Sequence, residues 1–425
     1  MSTRSFTDVH VHVDTPMDDW SEDAEATEAE VVVANDDIAT MVAAAAGTTL
    51  GGTVDKVLLT IPPLSSSNAR GYLVDFRELD TFASGQDSSG GESIIAGVVV
   101  GGRRINLLLQ AYDAAADSTE QERVHDALTR ILDAASPTDV MANQVAIGEI
   151  AILHVSADNA DNPFIYVDPT SAPMGDLLAF AALYQLPVDI HMEIVPCDVA
   201  TAEIVAVGRR GGTIVLYDPE KSEAENVNPP TLVRNVEDFQ DLLDMAHSAG
   251  AKIVLEHVGQ AMILRDWFFE KMLANVVGDT IGTEGVDFDK DWFPAWLDYL
   301  FTTYTGTLYV ALKWNEGDAY AMRSLFTDDA WSTDSSTGVE TSIALSVREL
   351  RDSWAELFAK WEDYFVMGSD QFLSSAAEAT SFEGNMATTM ELVEVIAASL
   401  TARGYDGEAI ADKFASGNAA ILYGI

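Results

Sequence analysis

Short apolar runs rich in β-branched residues recur along this chain, and stretches with helical periodicity separate them. The runs are residues 6–13, 54–62, 93–100, 144–150, 187–194, 251–258, 307–312 and 364–367, eight in all. Helical periodicity marks 119–135, 174–185, 236–249, 261–277 and 346–362, and two further stretches, 385–403 and 407–416, close the chain. Eight strands alternating with helices predict the α/β class and a closed parallel (β/α)8 TIM barrel. Such barrels usually take about 250 residues, so 425 leave room for inserted loops and extra C-terminal helices.

The surplus has places to go. Residues 17–37 are acidic and lead into an Ala-rich helix, 196–231 carry GRRGG and NPP turn signals, and 327–341 are rich in Ser, Thr and Asp and read as a surface loop. No Pro/Gly linker breaks the composition and nothing repeats beyond the strand–helix rhythm, so residues 1–425 are expected to form a single barrel domain. A doubly wound open sheet is the alternative. It lacks support, because no G-x-G-x-x-G follows a strand and opens a helix, and Gly101-Gly102 alone is too little.

Charge changes the picture of the surface. Asp plus Glu number 69 against 23 Lys plus Arg, a formal net charge of -46, yet 48% of the residues are hydrophobic. That combination describes a full core under an acidic skin rather than a disordered acidic tail. The acids are scattered along the whole length, which predicts a halophilic protein whose surface repulsion is screened by concentrated salt. No basic stripe offers a track for nucleic acid or an anionic membrane. The opening MSTRSFTDVH has no apolar h-region, and no stretch approaches the roughly 20 apolar residues of a membrane span, so a cytoplasmic protein is expected. Its partner would be a small molecule, with homo-oligomerisation left open. Cys197 is the only cysteine, which excludes intrachain disulfides and thiolate clusters. Any metal must be held by His and carboxylate.

The candidate chemistry sits where such ligands would be useful. In the first run, His10 and His12 are spaced by one residue, so on a strand they point the same way while the valine between them packs outward. Barrel active sites are built at the C-terminal ends of strands. There the fourth run has Gly148-Glu149-Ile150, the fifth His191 and Glu193, the sixth Glu256-His257, and the eighth leads into Gly368-Ser369-Asp370. The four histidines, Glu149 and Asp370 are hard or borderline ligands that Zn²⁺ or a similar divalent ion accepts, while Glu193 is a candidate for the substrate side. Each has a plainer reading as well. His191 and His257 could be core histidines bonded to backbone, Asp370 could start a turn or cap a helix, and Glu149 could either bridge metals or orient a ligating histidine.

Alternation along the seventh run places Tyr309, Ala311 and Lys313 inside the barrel, with Lys313 at the top, where it could attract an anionic group of a substrate. Glu193 alternates with His191 and could point inward one pleat higher. Arg103 and Arg104 could also meet a substrate anion, although starting a helix as solvated charges is the plainer reading. His125 and His247 fall on helices and read as surface residues, and His154 is left open.

Taken together these residues resemble the amidohydrolase superfamily, whose pattern is H-x-H on the first strand, a carboxylated Lys or a Glu on the fourth, His on the fifth and sixth, and Asp on the eighth. The resemblance covers nearly the whole chain. Segments PVDIHMEIVP, NPPTLVRNVEDF, KIVLEHVG, LYVALK and FVMGSDQF look like the amidohydrolase-related branch that includes aminocarboxymuconate semialdehyde decarboxylase. The resemblance implies that His10, His12, His191 and Asp370 are metal ligands and that His257 ligates a second ion or contacts the attacking water. It implies one or two divalent ions and a hydrolysis in which metal-activated water attacks an amide, lactone or ester carbonyl. Asp370 would take the proton and His257 would stabilise the oxyanion. The rivals are a non-hydrolytic decarboxylase, a TatD-like nuclease and a barrel that binds a ligand without catalysis.

Overall fold

All eight apolar runs form strands, and they pair in the order of a barrel. The computed structural model of the protein describes residues 4–13, 28–47, 52–60, 83, 93–134, 143–154, 165–192, 204–207, 213–217, 235–258, 291–314, 324–327, 331–333, 340–342, 348–373 and 385–425. The barrel strands are β1 (Ser5–Val13), β2 (Thr53–Thr60), β3 (Ile95–Gly101), β4 (Gln144–His154), β5 (Val188–Met192), β6 (Ile253–Leu255), β7 (Leu308–Leu312) and β8 (Phe365–Met367). Each pairs in parallel with its neighbours in sequence. After β8 the chain breaks at Gly368-Ser369-Asp370 and resumes as Gln371–Leu373, which pairs with β1. One interrupted strand therefore joins β7 on one side and β1 on the other, and the sheet comes round into a nearly closed (β/α)8 barrel.

Parallel strands are covered on both faces and so are apolar almost throughout. Here the two faces feed separate cores. Outward residues such as Val11, Leu59, Val98, Ile190, Leu308 and Leu312 pack against the helices, while Val9, Leu58, Val99, Ala146, Val254, Ala311 and Val366 fill the interior. Burying each such side chain is worth about 1.5–3 kcal/mol. Seven strands supply an apolar residue to that interior cluster. Strand β5 does not; its residue paired with Val254 is Asp189, fully buried.

Helices α1 (Glu28–Ala46), α2 (Gly102–Asp113), α3 (Ser118–Ala134), α4 (Ala172–Tyr184), α5 (Asn235–Ala249), α6 (Trp292–Thr303) and α7 (Asp352–Lys360) lie between strands. Helix α6 is not among the periodic stretches of the sequence. It tolerates Pro294 because the first helical turn needs no N–H there, and it buries Trp292, Phe293, Trp296, Leu297, Leu300 and Phe301. Helix α7 starts at Asp352 instead of 346, since Leu350 is drawn into an antiparallel bridge with Phe326. Residues 261–277 lie outside the described residues. Where 327–341 read as loop, Trp331–Thr333 and Glu340–Ser342 form an antiparallel pair, and Ile204–Val207 pairs likewise with Thr213–Tyr217 on either side of the GRRGG segment, which lies outside the described residues.

The chain ends in α8 (Asn385–Ala402), α9 (Gly407–Asp412), a wide turn at Lys413–Gly417 and α10 (Asn418–Tyr423). Buried Arg4, at the foot of β1, pairs with Glu394, Glu408 and Asp412 and so ties these helices beneath the barrel. From there Ala419, Leu422 and Tyr423 of α10 join the interior cluster and floor it. Among the described residues no helix is long and apolar enough to cross a membrane.

Candidate metal centre

Two bulges place the site. Between Asp8 and Val11, β1 advances three residues while β2 advances two, from Val57 to Leu59, so Val9 and His10 both reach the interior instead of alternating. Between Ile147 and Ile150, β4 does the same against Val188 and Ile190, and Glu149 lies in that bulge. Gly148 makes it possible. Its φ is 143°, and a Cβ there would stand 2.6 Å from the Asp189 carbonyl oxygen, so any other residue would force β4 and β5 apart.

The top of β6 also departs from plain alternation. The strand ends at Leu255, and Glu256–Val258 form a 3₁₀ turn in which His257 has φ 54° and Val258 φ 56°. Left-handed backbone is unusual for residues with a Cβ, and for a β-branched one it is a true outlier that the surroundings must enforce. The turn lets neighbours Glu256 and His257 both face inward. Asp370 is left-handed as well, at φ 54°, where the interrupted eighth strand crosses from β7 to β1. Its N–H donates to the His10 carbonyl at 2.9 Å, and the preceding Ser369 donates from both N–H and hydroxyl to Asp8.

These devices bring six residues into one buried cluster. His10 Nε2 is 3.0 Å from His12 Nε2, 3.6 Å from Glu149 Oε2 and 3.8 Å from Asp370 Oδ1. His12 Nε2 is 2.9 Å from Asp370 Oδ1 and 3.5 Å from Glu149 Oε2. The other Glu149 oxygen is 2.9 Å from His191 Nδ1 and 3.8 Å from His257 Nε2, and His257 Nε2 is 3.5 Å from Asp370 Oδ2. Ligand atoms about 2.0–2.1 Å from one ion in tetrahedral array lie roughly 3.3–3.4 Å apart, so these separations suit a shared cation. Three overlapping triads of these residues each offer ligand atoms within 4.8 Å of one another: His10, His257 and Asp370; His10, His12 and Glu149; Glu149, His191 and His257.

Electrostatics fit the same use. Burial works against the charged form of His10, but Glu256 and Glu149 outweigh it and hold its pKa well above the usual value. Burial would raise Glu149, yet His10 and His191 hold it well below the carboxylate range. Asp370 is likewise held well below that range against its burial, by Lys313, His257 and His12. His257 goes the other way: burial, helped by Lys313 and His10, keeps it neutral despite Asp370 and Glu149. Neither of its ring nitrogens has a hydrogen-bond partner among the described residues. A buried imidazole without partners is costly, and a cation at this place would take its lone pair.

The remaining sequence candidates fall as follows. Lys313 is inside the barrel, 4% exposed, with its ammonium on Asp370 Oδ2. Arg103 stands in the first turn of α2, its side chain outside the described residues, as is the whole of Glu193. His154, open to either reading in the sequence, packs against His191 with the rings tilted by 33° and their centroids 5.1 Å apart. His125 and His247 lie on α3 and α5, bonded to Asp176 and Thr307. Three further acids, none of them among the sequence candidates, are fully buried near the centre. Asp8 and Asp189 each precede a site histidine by two residues, which was a usable signal; Glu256 adjoins His257, and burial raises all three, Asp8 to about 6. Comparison with protein-family models gives no match, and comparison with curated proteins gives none either.

Proposed function

We propose that the protein is a metal-dependent hydrolase of the amidohydrolase type, acting on an amide, lactone or ester of a small molecule. The observation that carries this reading is the place of Glu149. Its two oxygens join the triad with His10 and His12 to the triad with His191 and His257, as a carboxylate shared by two ions would. One or two divalent ions, Zn²⁺ or similar, would be held by His10, His12, Glu149, His191, His257 and Asp370. When bound, such an ion polarises a carbonyl and makes water nucleophilic near neutral pH.

The chain's own groups supply the rest. Asp370 turns Oδ1 toward His12 and gives Oδ2 to Lys313. The ammonium keeps this carboxylate ionised and oriented, so it can receive a proton from the attacking water. Once protonated, Asp370 can pass that proton to the leaving group. Where a single ion leaves His257 unligated, its neutral ring, with Nε2 3.5 Å from the same oxygen of Asp370, can instead donate a ring N–H to a developing oxyanion. All of this lies inside the barrel at the C-terminal ends of the strands, the end at which barrel enzymes react.

Metal analysis of the purified protein, followed by turnover of a panel of esters, lactones and N-acyl compounds with and without chelator, tests the reading. We expect about one or two ions per chain, and activity lost on chelation and restored by Zn²⁺. Absence of metal, or turnover indifferent to its removal, would overturn it. Carbon dioxide released in place of a new carboxylate would move the assignment to a decarboxylase.

A further inference from the structure

Beneath the six residues of the centre the barrel contains acids that the proposed reaction does not use. A barrel interior is ordinarily filled by apolar side chains, yet Asp189 and Glu256 are both fully buried there. Burying a carboxylate costs several kcal/mol unless it is compensated. Asp189 accepts one hydrogen bond, on Oδ1 from the Tyr423 hydroxyl at 3.1 Å, and its Oδ2 has no partner among the described residues. Glu256 turns Oε2 to within 3.2 Å of His10 Nδ1, a charge contact rather than an aligned hydrogen bond, and among the described residues neither Glu256 oxygen nor His10 Nδ1 has a hydrogen-bond partner. His10, Asp189 and Glu256 each offer an atom within 4.8 Å of the others.

We propose that Tyr423, Asp189 and Glu256 form a buried polar column through which the last helix of the chain holds His10 in its ligating orientation. The inference rests on the reading of His10 as a metal ligand. With Nε2 facing His12, Glu149 and Asp370, the proton of the His10 ring belongs on Nδ1, which faces Glu256. A carboxylate on the far nitrogen of a ligating histidine fixes its tautomer and ring angle and makes it a stronger donor to the metal. Space for this contact comes from Gly368, where a Cβ would stand 3.1 Å from His10 Cβ and 3.3 Å from Glu256 Oε2.

Tyr423 is delivered from outside the barrel. Arg4 clamps α8 and α9 beneath β1, and the Asn418 side-chain amide donates to the carbonyls of Glu362 and Phe365 at the foot of β8. Helix α10 therefore enters at a fixed angle, Leu422 and Ala419 seal the floor, and the Tyr423 ring, 5% exposed, carries its hydroxyl up to Asp189. The same acids could be read as a second, lower cation site. That would require the Nδ1 lone pair of a histidine whose Nε2 lone pair already faces the upper centre, and one neutral ring has only one.

Full-length Tyr423→Phe and Glu256→Gln, with Ile421→Ala on the exposed side of the same helix as control, provide the test. Metal-free protein is titrated with Co²⁺, reading affinity, stoichiometry and the visible absorption band, and the metal-free proteins are melted separately. Glu256→Gln should weaken Co²⁺ binding by about 10–100-fold, the usual effect of removing a ligand's orienting partner. Tyr423→Phe should weaken it by less and shift the band in the same sense, and Ile421→Ala should move neither. Should Glu256→Gln fail to fold, Tyr423→Phe decides alone. Lower melting points with wild-type affinity and an unshifted band would reduce α10 to a plug and overturn the proposal. So would an extra Co²⁺ ion that Glu256→Gln alone removes, since it would mark a lower cation site. Wild-type protein that binds no Co²⁺ would overturn the metal centre itself, a different result from variants that bind as well as wild type.

Discussion

Lys313→Met separates the two cations that Asp370 can meet. In the metal-free protein the Lys313 ammonium on Oδ2 is the strongest influence holding Asp370 ionised, and the two side chains are 5% and 16% exposed. Methionine keeps most of the apolar stem and removes the charge. Breaking a buried pair from one side costs about 3–5 kcal/mol, because the surviving charge is left without compensation. At about 2.1 cal/mol/K per residue, unfolding 425 residues releases roughly 0.9 kcal/mol/K, so the midpoint of the metal-free variant should fall by about 3–6 °C. A divalent ion on His12 and Asp370 supplies a second counter-charge. The metal-loaded variant should then lose about half as much or less, and the rise in midpoint on adding metal should be larger for Lys313→Met than for wild type. Calorimetry of both proteins, chelated and loaded, at one salt concentration measures all four midpoints. Equal losses with and without metal would show that Asp370 does not meet the ion, and no loss in either state would show that the ion pair contributes nothing to stability.

Changing His10 and His12 together to Ala should abolish metal binding with only modest loss of fold, and full occupancy in that variant by metal analysis would sink the site. Asp370→Asn should lower turnover by about a hundredfold or more with little change in substrate binding, since it removes the proton acceptor; near wild-type turnover would pass that role to another group, His257 first. The net charge of -46 should make stability rise steeply between dilute buffer and about 2 M potassium chloride, where the screening length falls below roughly 3 Å. A melting midpoint that stays flat across that series would end the halophilic reading.

How far the site was legible depended on how each residue reaches the interior. The H-x-H of β1 could be read because a strand has a side-chain period of two, and His191 and Lys313 follow from the same rule at the ends of β5 and β7. That rule also reaches Asp189, one pleat below His191, but an acid in a barrel's inner layer contradicts the expectation of an apolar core and was passed over. Glu149 and His10 owe their directions to bulges, and a bulge depends on the register between two strands, which a single apolar run does not specify. His257 owes its direction to a left-handed turn that replaces the last residues of the predicted sixth strand. Here the pattern named the right residue for a strand that had already ended. Tyr423 had no local signal, because what makes it functional in the column is the docking of α10 at the foot of β8, about fifty residues away in sequence, and its reach to Asp189, 234 residues away. Sequence period thus names ligands at strand ends even where a bulge or a turn sets their final direction, whereas the groups that orient those ligands, Glu256 and Tyr423, arrive through irregularities and tertiary contacts. The far nitrogen of His10 faces Glu256, Glu256 lies beside Asp189, and Asp189 takes the Tyr423 hydroxyl, so the tyrosine is tied to the strand-end histidine only through contacts that the closed barrel creates.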